Sequence, residues 1–201
     1  MTDTKQRIFD AAERLIAAQG YSATSLRQII AEAGVNLASV HYHFGSKEEL
    51  LDELIHRKAD LVNRKRLELL ERAKAAAGPA PVPLVAILEA FLLPVAEVAT
   101  ADPQFVQVMG RVIGEGLMPQ IVGKYFRAVG ERFFPEIRRS VPELTDEEFG
   151  WRRHFLIGAM CHTLYGHSEA QGDFETRIGY LIRFLAAGFE APAVKPAEVN
   201  A

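Results

Sequence analysis

The segment from Leu26 to Phe44 constrains this chain more than any other. Leu26, Ile29 and Ile30 repeat at the spacing of one helix face, and Val40 and Phe44 stand four residues apart in a second such segment. Between them lies Glu32-Ala33-Gly34-Val35. Gly34 permits the positive φ of a tight helix exit, the small Ala33 lets two helices approach closely, and Val35 can fill the space between them. Thr24 or Ser25 is placed to cap the first short helix, and Asn36 the second. Two short helices joined at about a right angle by a glycine-containing turn are a helix-turn-helix. With Val40 and Phe44 turned inward, the second helix presents Asn36, Leu37, Ala38, Ser39, His41, Tyr42 and His43 outward. Small, hydrogen-bonding and aromatic side chains on one face suit a DNA major groove about 12 Å wide.

The rest of the chain reads as helix throughout, with no alternating strand pattern. Ile8, Ala11, Ala12, Leu15 and Ile16 mark a one-sided first helix ending at Gly20. Ser46-Lys47-Glu48-Glu49 matches the S/T-x-x-E capping box and opens a long helix carrying Leu50, Leu51, Leu54, Ile55 and Leu61. Gly78, Pro79, Pro81 and Pro83 end it, because no helix passes intact through that stretch. Further helices are expected near 84–100, 103–114, 118–139, 145–167 and 174–190. Asp102-Pro103 and Thr145-Asp146 supply start signals, and Pro94 and Pro135 are expected to kink or interrupt their helices. The fold class is therefore all-α: a three-helix helix-turn-helix domain over 1–47, joined by a long helix to a larger helical domain over 48–190. Residues 191–201, with two prolines, are expected to be a disordered tail.

Composition limits the chemistry. The 201 residues are 49% hydrophobic and 24% charged, so a substantial core is available. Net charge is −3, and residues 1–47 hold five Lys/Arg against four Asp/Glu, so any DNA contact must concentrate its cations locally. The single cysteine, Cys161, excludes an intramolecular disulfide and a cysteine-built zinc site; it is expected as a small buried hydrophobe. His154 and His162, eight apart, are too far separated to ligate one metal, so no metal and no cofactor is expected. No G-x-S-x-G, H-E-x-x-H, P-loop or Gly-rich dinucleotide turn is present, so an enzyme is not expected. The polar N-terminus lacks a secretory signal, no apolar run reaches about 18 residues, and a cytoplasmic protein with no membrane partner is the expectation.

The run from Gly20 to Ile30 (GYSATSLRQII) and GVNLASVHYHFGSKEEL from Gly34 to Leu50 resemble the N-terminal signature of TetR-type repressors, over roughly residues 5–55. The resemblance implies a three-helix reader, a long fourth helix, a larger ligand-binding domain, and a homodimer on a pseudo-palindromic double-stranded DNA operator. Tyr42, His43, Phe44 and Lys47 stand where the family pattern has them. Leu37 and His41 depart from it, replacing a frequent lysine or arginine and a frequent aromatic; His41 could donate to a guanine or a phosphate, more strongly when protonated. The expected DNA-contact set is Thr24, Ser25, Arg27, Asn36, Leu37, Ala38, Ser39, His41, Tyr42, His43 and Lys47. Within it Tyr42 meets a phosphate or thymine methyl, Lys47 a phosphate, and Arg27 the groove edge. Thr24 and Ser25 cap their helix and can touch phosphate as well, while His43 is expected to be mainly buried or capping. The basic residues His56, Arg57, Lys58, Arg64, Lys65 and Arg66 read instead as a solvated helix face with acidic partners such as Asp60, Glu68 and Glu71.

The C-terminal body is rich in large adaptable side chains that can line a pocket for an apolar small molecule. The expected lining is Phe91, Phe105, Met109, Arg111, Met118, Tyr125, Phe126, Phe155, His162 and Tyr165, with Arg111, Glu115, Arg152, His154, His162 and Tyr165 as groups that could orient a ligand. Ile178, Leu181, Ile182, Leu185 and Phe189 form an apolar stripe on the last helix, and the helix before it offers Phe155, Gly158 and Ala159; together they are the expected dimer interface, with ordinary packing inside one subunit as the alternative. GVNLASVHYHFGSK and Trp151–Ala159 also resemble the branch of the family that responds to long-chain fatty acids or their thioesters. The resemblance implies a repressor released by a small apolar effector such as a fatty acid or acyl-CoA. The competing reading is a constitutive or architectural DNA binder with no effector.

Overall fold

A computed structural model of the chain describes residues 3–165 and 173–193. All regular structure among them is helical: α1 (Asp3–Gln19), α2 (Leu26–Ala33), α3 (Leu37–Phe44), α4 (Lys47–Ala77), α5 (Leu84–Ala101), α6 (Pro103–Gly114), α7 (Met118–Ile121), a π-helical turn (Val122–Phe126), α8 (Arg127–Ser140), α9 (Asp146–Tyr165) and α10 (Phe174–Glu190). The all-α expectation and the element order hold. The last two residues of the helix expected over 145–167, and 194–201 of the expected tail, lie outside the described residues. Pro94 and Pro135 sit inside the unbroken helices α5 and α8. The irregularity falls instead at the π-turn, within the segment expected as one helix over 118–139.

The chain divides into two compact units. Unit 1 joins the residues up to Leu61 with Ala101–Phe126, and unit 2 contains Val62–Thr100 and the residues from Arg127 onward. The division falls inside α4, and the unit that carries the helix-turn-helix therefore extends beyond 1–47 to take in α6, α7 and the π-turn.

In unit 1, α1 is the central helix and packs against α2, α3 and α6. Its apolar face buries Ile8, Ala11, Ala12 and Ile16, and Phe9 meets Phe44 edge-to-face at 4.8 Å. Polar ties complete the packing. Arg7 donates to the carbonyls of Ala33 (2.5 Å) and Gly34 (2.9 Å), placing a cation at the C-terminal end of α2. Lys5 pairs with Glu53, Arg57 with the same carboxylate, and Lys58 with Asp102 at 2.5 Å.

In unit 2, α5 is the buried helix, and α9 packs against α10. At 18 residues with a mean hydropathy of 1.9, α5 is long and apolar enough to cross a membrane, where the sequence reading expects no such run; its exposed Glu89 and Glu97 divide the apolar positions, most of which are buried in the unit. Phe91 and Phe133 pack edge-to-face at 5.1 Å, and Phe133, Ile137, Leu88 and Leu92 are fully buried. The expectation of a solvated basic face on α4 fails at Arg66, which is 2% exposed. Its Nε donates to the Phe91 carbonyl at 2.7 Å, and its guanidinium lies 4.0 Å from the centre of the Phe91 ring. Desolvation lowers its pKa to about 10, still well above neutrality, so the side chain stays a cation. A guanidinium can be buried there because its planar, weakly hydrated group finds a carbonyl in its plane and a π-face above it.

Candidate nucleic-acid interface

The turn between α2 and α3 is built as the sequence requires. Ser25 begins α2 with a complete capping box: its Oγ accepts from Gln28 N, and the Gln28 side chain accepts from Ser25 N at 2.8 Å. Gly34 ends α2 in the left-handed region (φ 62°), with Gly34 N donating to Ala31 O and Val35 N to Ile30 O, the paired bonds of a Schellman end. The left-handed backbone calls for glycine here, and a Cβ at Gly34 would stand 2.8 Å from the Arg7 guanidinium and displace the end of that side chain. Asn36 then opens α3, its Oδ1 accepting from Ser39 N at 2.8 Å.

Side-chain exposure sorts the expected contact residues. Val40 and Phe44 are buried, while Leu37 (53% exposed), Ala38, His41 and Tyr42 (85%) face outward at i, i+1, i+4 and i+5. Arg27 and Ser25 are exposed as well. Asn36 and Ser39 are largely occupied with each other, since the Ser39 hydroxyl also donates to Asn36 Oδ1 at 2.9 Å. His43 is half-buried and meets Tyr42 edge-to-face at 5.1 Å, in keeping with a packing role.

Thr24 departs from expectation. It is 1% exposed, and its hydroxyl donates to Gly20 O at 2.6 Å and accepts from Gln19. It ties the α1–α2 corner from inside and cannot reach DNA. Lys47 stands at the start of α4, where a cation opposes the helix dipole. The structure supplies the compensation locally: Nζ donates to Tyr21 O (3.1 Å) and Thr24 O (2.9 Å) and lies 4.1 Å from the Tyr21 ring centre. An ammonium has three N–H groups, so one remains for a phosphate. Burial, reinforced by Glu48, raises the Tyr21 hydroxyl to about 12 and keeps it a proton donor to that carboxylate.

The same corner is held by the far end of α6, which sequence reading assigns to a ligand site. Arg111 donates to Ala17 O (3.3 Å) and Ala18 O (3.1 Å) near the end of α1. Glu115, the residue capping α6, accepts from Tyr21 N (2.7 Å), Ser22 N (2.9 Å) and the Ser22 hydroxyl (2.5 Å). Burial alone would raise this carboxyl, but the Ser22 and Tyr21 bonds outweigh it and hold it below the ordinary range. The sequence signal was an acid four residues after an arginine at a helix C-terminus, a poor place for an acid unless N–H groups from elsewhere meet it.

The other expected ligand residues disperse. Tyr125 spends its hydroxyl on Asp52, whose carboxylate also receives Lys124 at 2.6 Å. Arg152 caps the end of α10, donating to Gly188, Phe189 and Ala191 carbonyls at 2.8 Å each. Phe105 and Met109 are buried in unit 1, and Phe91 in unit 2. Phe126 is half-buried in unit 1, and burial drives the Tyr165 hydroxyl upward in unit 2. Phe155 (59% exposed) and His162 lie on the surface of unit 2 and cannot line its interior. Met118 begins α7, and its side chain lies outside the described residues. Cys161, expected as a small buried hydrophobe, is half-buried, and burial pushes its thiol up to about 11.

The expected dimer stripe also needs correction. Ile178, Leu181, Ile182, Leu185 and Phe189 are all buried within the subunit, so they form the core face of α10 rather than a surface. The outward apolar face is made by Trp151 and Phe155 on α9, stacked with centroids 6.0 Å apart, and by Tyr180 and Phe184 on α10. Gly158 is exposed and Ala159 half-buried. A wide helical stripe on a chain that must fill its own core turns inward first; the shorter i, i+4 pair of aromatics behind it was the surface signal.

Residues 8–54 match the family described as bacterial regulatory proteins, tetR family, and residues 89–188 match the tetracyclin repressor-like C-terminal domain. The HTH-type transcriptional regulator LmrA of Bacillus subtilis (strain 168) is 39% identical over 70 residues, 34% of this chain and 37% of that protein. The chain thus matches little more than a third of the length of that curated relative. The fatty acid degradation regulator FadR from Bacillus halodurans has the same fold at 15% identity, with a TM-score of 0.64 over 94% of this chain and 98% of that one. A TetR-like transcriptional regulator from Rhodococcus sp. RHA1 also gives 0.64, at 20% identity, over 95% and 98%. With its helix-turn-helix and its C-terminal body each matched within one family, the chain belongs to the TetR family of bacterial regulatory proteins, which are DNA-binding transcriptional regulators and not enzymes.

Proposed function

We propose that this chain acts in the cytoplasm as a homodimeric repressor that binds a pseudo-palindromic operator and leaves it when a small apolar effector binds the body. Residues 1–47 supply the reading head and 48–190 the effector and dimer functions. The outward face of α3 carries this reading: Leu37, Ala38, His41 and Tyr42 stand clear of the unit, flanked by Ser25 and Arg27. Such a face enters a major groove while the flanking groups and the remaining Lys47 N–H meet phosphates. Two heads must sit about 34–36 Å apart to reach successive grooves, which requires a second copy. The exposed Trp151, Phe155, Tyr180 and Phe184 are the surface best suited to hold that copy, since an aromatic patch of this kind on a soluble chain marks an interaction site.

Effector release needs a path to the head. The Arg111 and Glu115 bonds make the end of α6 move with the α1–α2 corner, so an effector that favours one position of α6 biases the head with it. The apolar side chains buried within unit 1, Phe105 and Met109 on α6 among them, suit an apolar effector such as a fatty acid or acyl-CoA.

The test is fluorescence polarisation on DNA from upstream of the gene itself, with and without long-chain fatty acids and acyl-CoA. Sub-micromolar binding to one pseudo-palindromic site, lost on acyl addition, is the expected result. Tyr42→Ala should weaken that binding about tenfold, and Lys47→Ala by a similar factor. Absence of any specific site ends the regulator reading; specific binding unaffected by any acyl ligand replaces it with that of a constitutive binder.

A further inference from the structure

We propose that His41 is a base-specificity residue that accepts a hydrogen bond, through Nε2, from an exocyclic amino group in the major groove: adenine N6 or cytosine N4. The inference rests on the DNA-reading role of α3 and reverses the sequence expectation that His41 donates.

Gly45, with a φ of 73° and a ψ of −64° and with Ser46 N donating to Phe44 O at 2.8 Å across it, makes a γ-turn of the less common hand. That turn directs the Gly45 carbonyl back along α3, where it lies 2.7 Å from His41 Nδ1. The same two residues are also joined through the backbone, Gly45 N donating to His41 O at 3.1 Å. A carbonyl oxygen can only accept, so Nδ1 carries the proton. A neutral imidazole has one N–H, and once Nδ1 holds it, Nε2 is a lone-pair acceptor. The turn therefore selects the tautomer before DNA arrives.

His41 is exposed, one turn beyond Leu37 and beside Tyr42 on the outward face, and Nε2 has no protein partner among the described residues. Leu37, Ala38 and His41 carry no permanent charge. In the major groove only adenine N6 and cytosine N4 donate, while guanine offers acceptors alone and thymine a methyl group and an acceptor. A ring fixed as an acceptor thus discriminates against guanine and thymine at the position it faces. Leu37, one turn earlier, adds an apolar contact suited to a neighbouring thymine methyl.

The experiment uses the full chain at pH 8, where imidazole side chains are in general neutral. Operators are selected from randomised half-sites with the unmodified protein and with His41→Ala. The expected result is one position per half-site where a preference for adenine or cytosine disappears in the variant. At that position the base is then replaced in a defined duplex by its analogue lacking the amino group, purine for adenine or 2-pyrimidinone for cytosine. Removal of the amino group should weaken binding of the unmodified protein about five- to tenfold and that of His41→Ala less than twofold. Should His41→Ala fold poorly, amino deletion at each adenine and cytosine of the half-site in turn, with the unmodified protein alone, decides the matter; no loss at any of them overturns the proposal. It is equally overturned if His41→Ala selects the same bases, or if the preference it loses is for guanine. A protein that selects no sequence at all fails earlier, at the regulator reading; one that selects an operator indifferent to His41 fails here only.

Discussion

In unit 1 the helix ends are tied to one another by charged side chains. Arg7 sits on the end of α2, Arg111 on the end of α1, Glu115 on the amides of Tyr21 and Ser22, and Lys47 on the carbonyls of the same corner. Unit 2 has such ties too, Arg152 on the end of α10 among them, but its centre is apolar: α5 is sunk in the core, Phe133 and Ile137 are fully buried, and even a charged residue, Arg66, is enclosed. The difference follows helix length. Unit 1 contains the eight-residue helices α2 and α3, whose ends are many for their length and call for directional bonds; unit 2 is built round longer helices such as α5 and α10, each of which buries a continuous apolar face. The contrast predicts which substitutions damage which unit.

The largest effect belongs to unit 2. Phe133 is fully buried and meets Phe91 edge-to-face, so Phe133→Ala removes a large ring from a packed site. Urea unfolding should show a loss of about 3–5 kcal/mol. A loss below about 1 kcal/mol would mean that the core is loosely filled, and the contrast between the units would fail.

Next comes the polar corner of unit 1. Glu115→Gln removes the charge from a carboxylate that receives three hydrogen bonds, and should cost about 1–2 kcal/mol. Its pH dependence has a definite sign. Because the folded carboxyl lies below the ordinary glutamate value of 4.5, the stabilisation is complete above about pH 4.5 and fades as pH falls through the folded value. The stability gap between the native protein and Glu115→Gln should therefore be flat from pH 5 to 8 and close below pH 4.5. A gap that widens on acidification would show that Glu115 is not held as a carboxylate.

The helix-turn-helix was legible because its signals are local. A glycine that must take positive φ, a capping hydroxyl or amide at each helix start, and two inward positions four apart each fix geometry within one turn of chain. What sequence could not supply was the identity of distant partners. Glu115 and Arg111 look like ligand groups until Tyr21, Ser22 and Ala17 are brought beside them. Thr24 reads as an exposed cap until the α1–α2 corner closes over it. On α10 the period was right and the direction was not, since periodicity identifies an apolar face without saying whether the chain itself or a second copy covers it.

Ser25→Ala sharpens the comparison at a smaller scale. It breaks a capping box at the start of an eight-residue helix and should destabilise by about 1 kcal/mol, read as a lowered melting temperature. Amide exchange should localise the loss to α2 and α3. A uniform loss across both units would instead indicate that the two unfold as one cooperative block.

The smallest effect tests whether charge as such or its placement matters. Lys65 pairs with Glu97 within unit 2, but both side chains are well exposed, at 42% and 56%. Water screens such a pair, and ordering two long side chains offsets most of the attraction. Lys65→Ala should therefore shift stability by less than about 0.5 kcal/mol, within the scatter of urea melts. Arg7→Ala offers the matched control in unit 1, since its guanidinium meets the C-terminal carbonyls of α2 rather than a mobile carboxylate. If Lys65→Ala cost as much as Arg7→Ala, charged side chains would be equally structural in both units, whatever they meet. The polar character of the head would then be a matter of composition and not of where its helices end.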